Sequence, residues 1–367
     1  MNVMSAFRCV FHTLIGAALA LIPFAPQVLA DSPASSPPVK VGMLLPLTGP
    51  YAAVGVDNQQ GIELAKSELG ELAKAIDIVL GDSKAEPTQS ITEFRKMVEV
   101  DKVSTVFAFR GPVGMAVNPI SQRLGIPILG GVGNKDFALT NQFAFQLWPR
   151  SDVEGEFLCK AMIDRKFTSV ALLTVQDDYP VAVSTGFRDA LRTSGGELSL
   201  DESILPGDSD FRSVITKLNG TKAQVIFANI AINQIAPFLK QLRQQGVDIP
   251  VYSNFWAGKK EVLEGAGTAA NGLVFAEMST SMAPLVAELK KRFNSSPSGA
   301  TVSAYVATMM IAQAAERAAD KTPQGIYSEL LKLQEVKSRN GTFAIKDRFV
   351  QFPLALRVIH DGKIDPL

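Results

Sequence analysis

VKVGMLLPLTGPYAAVGVDNQQGIELAKSELGELAKAIDIVLGD, residues 39–82, decides the fold. VKVGMLLPL is a near-continuous apolar run of strand length. NQQGIELAKSELGELAKA, residues 58–75, carries apolar positions at helical spacing, and IDIVLGD returns to a strand. Strand, helix, strand, with a connection too long for a hairpin, predicts a parallel pair and its crossover helix. The same grammar continues outward. PTQSITEFRKMVEVDK opens a helix on Pro87, a residue suited to the first helical position. STVFAF, a helix over Gly114–Leu124 and the strand IPIL complete three βα units.

After FAFQLWPRS the pattern restarts. SVALLTV is a strand, Val181–Thr193 a helix, and Gly195-Gly196 its stop. AQVIFANI, the helix NQIAPFLKQLRQQG and the strand IPVYSN follow. GLVFAEMS then leads to helices over Ala283–Phe293, Ala300–Ala319 and Pro323–Leu333. GTFAIKDRFVQFPLALRVIHDGKI, residues 341–364, alternates with period two and reads as a hairpin or small antiparallel edge. The fold class is therefore α/β, with two doubly wound parallel-sheet lobes. Their strand carboxyl ends, where ligands sit in open α/β sheets, can face each other across a cleft.

Residues 1–30 read as a signal peptide. Arg8 precedes the short apolar core Leu14–Pro26, and Val28-Leu29-Ala30 is a small-residue cleavage site. DSPASSPP, residues 31–38, reads as a disordered lead-in. Export to the periplasm is expected, without stable membrane insertion. Without Arg8, the 36 basic residues become one fewer than the 36 acidic ones, so nothing in the charge suggests a nucleic-acid partner. Cys159 alone follows the leader, which leaves no internal disulfide to form; it reads as a small core residue. No metal or cofactor is expected. There is no GxSxG elbow, phosphate loop or dinucleotide fingerprint, and GGVGNK at residues 130–135 lacks the required spacing. An exported α/β enzyme is thus disfavoured.

VKVGMLLPLTGPYAAVGVDNQQGIELA resembles the opening of type I periplasmic substrate-binding proteins of the leucine/isoleucine/valine-binding kind. LGIPILGG, GDSDFRSVITKLNGTKAQVIFA, FLKQLRQQGVDIPVY and AYVATMMIAQAAERA are similar to that family in order and spacing. The resemblance implies two lobes joined by a three-crossover hinge, a monomer, and delivery of a small ligand to an ABC permease. A sensor that presents its bound state to a receptor is the alternative. The implied crossovers fall near Trp148–Arg150, Glu277–Ser279 and Glu335–Ser338. Lobe 1 then comprises residues 39–148 plus 279–335, and lobe 2 residues 149–278 plus 336–367.

The resemblance also points to site positions. Tyr51, in the loop after the first strand, either covers the ligand or packs its own loop. Asp82 is expected to organise its turn by accepting backbone N–H bonds. The hydroxyls that hold an amino-acid carboxylate in such proteins align near Gly114 and Gly133, which have no side chains. Backbone N–H groups at Gly111 to Gly114 and at Gly131, Val132, Gly133 and Asn134 remain as anion donors. The loop Asn254-Phe255-Trp256 lacks the acid expected for an ammonium. Arg110 stands where the hydroxyls would act: either it clamps a carboxylate, or it bridges Asp82, Asp177 or Asp178, or it points to solvent. Asp178 and Tyr179 are carried over as cleft residues, although Pro180 replaces the usual glycine. Asn229 is a polar candidate or a cap for the next helix. Trp148 reads as hinge packing. The expected ligand is a carboxylate with an apolar or aromatic body received by Tyr51, Phe255 and Trp256; branched-chain amino acids, amides and urea are the alternatives.

Overall fold

The computed structural model describes residues 37–279 and 282–367; the expected signal peptide lies outside them. Fifteen strands run β1 Val39–Leu45, β2 Ile76–Asp82, β3 Thr105–Phe109, β4 Ile128–Gly131, β5 Ala144–Gln146, β6 Ser169–Val175, β7 Glu197–Ile204, β8 Val225–Asn229, β9 Val251–Ser253, β10 Val274–Met278, β11 Glu335–Ser338, β12 Gly341–Lys346, β13 Phe349–Val350, β14 Leu354–His360 and β15 Lys363–Pro366. The helices are α1 Ala52–Leu69, α2 Pro87–Glu99, α3 Gly111–Leu124, α4 Asp136–Leu139, α5 Ser151–Asp164, α6 Asp178–Thr193, α7 Arg212–Asn219, α8 Ile232–Gln244, α9 Lys260–Ala266, α10 Ala283–Phe293, α11 Gly299–Arg317 and α12 Pro323–Lys332.

Two sheets form. The first has the order β11-β12-β13-β5-β4-β3-β1-β2, the second β15-β14-β10-β9-β8-β6-β7. Each contains five parallel strands in one order, β2-β1-β3-β4-β5 and β7-β6-β8-β9-β10; beyond β5 the short β13 adds in parallel and β12 and β11 follow antiparallel, whereas beyond β10 β14 and β15 are antiparallel. The central strands β3, β6 and β8 are buried throughout, as strands covered by helices on both faces must be. Separate apolar clusters occupy the two faces of each sheet. Cys159 is buried in the cluster formed by α5, α6 and the second sheet. The two-lobed doubly wound architecture is thus as the sequence predicts.

The differences are local. Helix α1 starts at Ala52, six residues before the predicted start, and ends at Leu69; Gly70–Ala75 is a separate 3₁₀ turn. Gly55 conceals the earlier start, because a Cβ there would overlap the Pro46 carbonyl. The alternating segment 341–364 is two antiparallel edges, one on each sheet. This also moves the third passage between the sheets. It was expected at Glu335–Ser338, but β11 pairs with β12 and β12 with β13, and Val336 is buried in the first sheet's core. The chain passes to the second sheet only between Val350 and Leu354. The first passage follows Gln146, and the second follows Met278. Ser279 N donates to Pro353 O at 2.8 Å, so the second and third passages run side by side.

Candidate functional site

In this strand order the neighbours of the first parallel strand connect in opposite directions, which opens a crevice at the carboxyl ends of β1 and β3, and of β6 and β8. The candidates cluster there. At the first crevice Asp82 fastens the loop after β1. Its Oδ1 accepts from the backbone N–H groups of Leu47, Thr48 and Lys84 at 2.9, 3.2 and 2.9 Å, and its Oδ2 from Thr48 Oγ1 at 2.5 Å. These donors hold its carboxyl below the usual range despite some desolvation. The expected turn-organising role is what the geometry shows.

Tyr51 ends that loop, 44% exposed, and its ring receives Arg110: the guanidinium carbon lies 3.4 Å from the ring centroid. Arg110 caps α3 with φ 89° and ψ 143°, a backbone conformation rarely adopted by residues with a side chain. Among the described residues it forms no ion pair, and its buried Nη1 has no hydrogen-bond partner. The carboxylates that could have neutralised it are elsewhere. Asp82 is occupied as above, Asp177 Oδ1 accepts from the Asp178 N–H at 2.8 Å, and Asp178 is exposed.

Gly111 begins α3 with open space around its Cα, and the Gly114 N–H is already donated to Arg110 O at 2.9 Å. Gly131 and Gly133 serve packing. A Cβ on Gly131 would overlap the Phe109 ring, and one on Gly133 would lie 2.9 Å from Ser151 Oγ. Val132 is fully buried.

At the second crevice the polar candidates are committed inward. Asn229 is fully buried; its Nδ2 donates to Pro180 O and Ser184 Oγ, both at 2.7 Å, and its Oδ1 accepts from Asn254 Nδ2 at 2.8 Å. Asn254 also caps the turn at Phe255–Gly258, accepting from Trp256 N at 3.0 Å. Asn229 and Asn254 join β8, β9 and α6, and Asn229 does not cap the following helix, whose cap position is Ala231. Tyr179, in contrast, joins a wall of rings, with centroids 5.1 Å from Phe255 and 4.9 Å from Trp256.

The residue that sequence reasoning missed is Glu154, in the first turn of α5. It is 5% exposed, and both its oxygens lie 2.8 Å from Tyr179 Oη, which donates to them; Oε1 also accepts from Phe255 N at 3.3 Å. Burial pushes its carboxyl up to about 7, against the lowering effect of these donors. Helices α5 and α6 approach closely enough for this contact because Gly155 and Gly186 face them: a Cβ on either would overlap a carbonyl of the other helix. No local signal marks Glu154, which reads as one more acid in VEGEF. The glycines were the available clue.

Glu154 lines a cavity of about 230 Å³ with Trp148, Phe255, Lys259, Glu277 and Ser298 among its walls. Residues from all three passages border it: Pro149, Met278 and Leu354. Of the residues singled out as ligand-binding, only Phe255 lines this cavity; Arg110 and Tyr51 lie outside it. The link between the two places is aromatic. Trp148 packs edge-on to Phe109 at 5.7 Å and to Phe255 at 6.0 Å, so it is cavity wall as well as hinge packing. Burial raises Asp57, bonded to Ser298 Oγ at 2.7 Å, and lowers Lys259, whose ammonium Asp57 and Glu277 partly support. No cluster of three metal-ligating side chains occurs among the described residues, and none of their helices is long and apolar enough to cross a membrane.

Comparison with known proteins agrees with this architecture. The chain is 25% identical over 322 residues to a Leu/Ile/Val-binding protein homolog 1 of Brucella suis, covering 84% of this chain and 86% of that protein. A branched-chain amino acid transporter substrate-binding protein, LivJ, of Streptococcus pneumoniae in complex with isoleucine superposes with TM-score 0.77 at 21% identity, covering 89% of this chain and 98% of that one. A solute-binding protein of an ABC transporter from R. palustris in complex with benzoate gives TM-score 0.74 at 19% identity, covering 90% and 95%. The profile of the family described as "Periplasmic binding protein" matches residues 38–363. With that match over most of its length, the chain belongs to the periplasmic binding protein family.

Proposed function

We propose that this protein is an exported solute-binding protein that traps a small organic acid between its two lobes and delivers it to an ABC permease, acting as a monomer in the periplasm and by binding, not catalysis. The lobes are residues 39–148 with 279–350, and residues 149–278 with 351–367, divided where the chain changes sheet. Arg110 carries the ligand class. Its guanidinium is stacked and unpaired at the carboxyl end of a central strand, with a buried nitrogen lacking an acceptor. Leaving such a donor unsatisfied is costly, and a carboxylate meets it with short, charge-assisted bonds. Isoleucine and benzoate, named with two structural neighbours, are both carboxylates. Phe109, Trp148 and Phe255 offer an apolar wall to the rest of the molecule. Contacts to both lobes favour the closed form by their differential affinity alone.

The test is a thermal-shift screen of refolded, ligand-stripped protein. The panel contains branched and aromatic amino acids, the corresponding acids without the amino group, amides and urea. Acids stabilise the wild type in a concentration-dependent manner, as mass action requires, and Arg110→Ala abolishes the shift while keeping the unliganded melting point. Stabilisation by amides or urea alone would overturn the acid assignment.

A further inference from the structure

Glu154 is a buried carboxyl on a cavity wall with no cation beside it among the described residues. In its ionised form it has a phenol and one backbone N–H as donors but no lysine or arginine within ion-pair distance among the described residues. In its neutral form its O–H can turn to Tyr179 Oη, 2.8 Å from either oxygen, which leaves the other oxygen open to a further donor. Buried carboxyls are ordinarily paired, and this one borders a cavity.

The groups facing it are few. Tyr179 comes from α6 and the Phe255 N–H from the turn after β9. Across the cavity stand Lys259, its ammonium 5.5 Å from the Phe255 ring centroid, and Glu277, which accepts from Arg357 Nε at 2.7 Å. Asp57 is bonded to Ser298. On α5 itself Asp152 is taken by Arg150 and Lys135. The turn Asn254-Phe255-Trp256 has no acid of its own; the carboxyl beneath it arrives from α5.

We propose that Glu154 is the specificity-determining residue of the cavity, accepting a hydrogen bond from an N–H or O–H donor on the ligand, apart from the acid group held by Arg110. This rests on the organic-acid reading above. It narrows the ligand to an acid that also bears a hydroxyl or ammonium. A donor placed on the carboxylate favours its charged form, so below neutral pH the carboxyl gives its proton to solvent as the ligand enters, and uptake releases protons.

The experiment uses ligand-stripped protein and two matched pairs of probes: 4-hydroxybenzoate with benzoate, and L-leucine with 4-methylpentanoate. Titration calorimetry at pH 6 in two buffers of different ionisation enthalpy gives both affinity and protons released. A hydrogen bond to a charged group supports a preference of about tenfold or more for the donor-bearing member of at least one pair, falling below about threefold in Glu154→Gln. The pair that shows it identifies the donor as hydroxyl or ammonium. The same wild-type titration releases protons with that probe and not with its partner, a readout that stands even if the variant fails to fold. If acids bind but no pair shows a donor preference or a difference in proton release, Glu154 is structural and this inference fails alone. If Glu154→Gln weakens both members equally, it also fails. If none of the four probes binds, the organic-acid reading falls and takes this inference with it.

Discussion

Arg110 and Asn229 lie at corresponding corners in two copies of one topology, Asn229 as the last residue of its strand and Arg110 just after its own. Each stands at the carboxyl end of the strand next to the switch point, β3 in the first sheet and β8 in the second. Asn229 uses its side chain on the protein, tying Pro180, Ser184 and Asn254 together. Arg110 does the reverse: it holds φ 89°, stacks on Tyr51 and leaves Nη1 without an acceptor. Strain and an unsatisfied donor together cost stability, and such costs concentrate where a molecule must be recognised. The side chain of one corner is spent within the protein, and that of the other is the one we propose binds the ligand.

The comparison can be broken most sharply at Arg110. Arg110→Ala should weaken binding of a carboxylate ligand by ~2–4 kcal/mol, roughly thirty- to a thousandfold, with little change in unliganded stability. An equal loss of melting temperature, with binding kept, would make Arg110 scaffold like its counterpart. The next effect comes from Glu154. The folded protein keeps this proton up to about pH 7, whereas the unfolded chain releases it near 4.5, so the folded state binds more protons between those values. Stability should therefore fall as pH rises through that window, by up to about 3 kcal/mol, and Glu154→Gln should flatten the profile. Urea unfolding at pH 5 and pH 8 measures both.

Asn229→Ala should behave oppositely to Arg110→Ala. It removes an acceptor of Asn254 Nδ2, which keeps Ile230 O, and the buried donor to Pro180 O and Ser184 Oγ, lowering stability by about 2–3 kcal/mol in denaturant melts while ligand affinity changes less. The smallest effect sharpens the strain argument. At φ 89° glycine is unstrained, so Arg110→Gly should be about 1 kcal/mol more stable than Arg110→Ala. Equal stabilities would remove strain from the account.

The sheets were legible because their central strands are unbroken apolar runs between amphipathic helices. β7 and α7 were not read as elements. Glu197–Ile204 is an edge strand with mostly exposed or half-exposed residues, so it carries neither a buried run nor clean alternation. The third passage was misplaced because alternation signals an antiparallel strand but not the sheet that receives it. In the sequence, Arg110 stood out because a cation ends a strand of apolar residues, and Asp82 because an acid closing a strand can take the backbone N–H of its own turn, here Lys84; its bonds to Leu47 and Thr48, 35 and 34 residues away, were not legible. Glu154 did not, since its meaning depends on Tyr179 and Phe255, 25 and 101 residues away. Asn229 looked like a ligand contact for the same reason: its partners are equally distant in sequence.

Cys159, buried between α5 and the second sheet, offers a consequence of another kind. Burial pushes its thiol up to about 11, and only the thiolate of an accessible group reacts readily. Modification must then await a transient opening of the helix that also carries Glu154 in its first turn. The rate at which a small disulfide reagent labels this thiol is thus a built-in clock for the second lobe. A ligand that grips Glu154 should slow that clock in proportion to its occupancy, so the labelling rate becomes a measure of ligand binding.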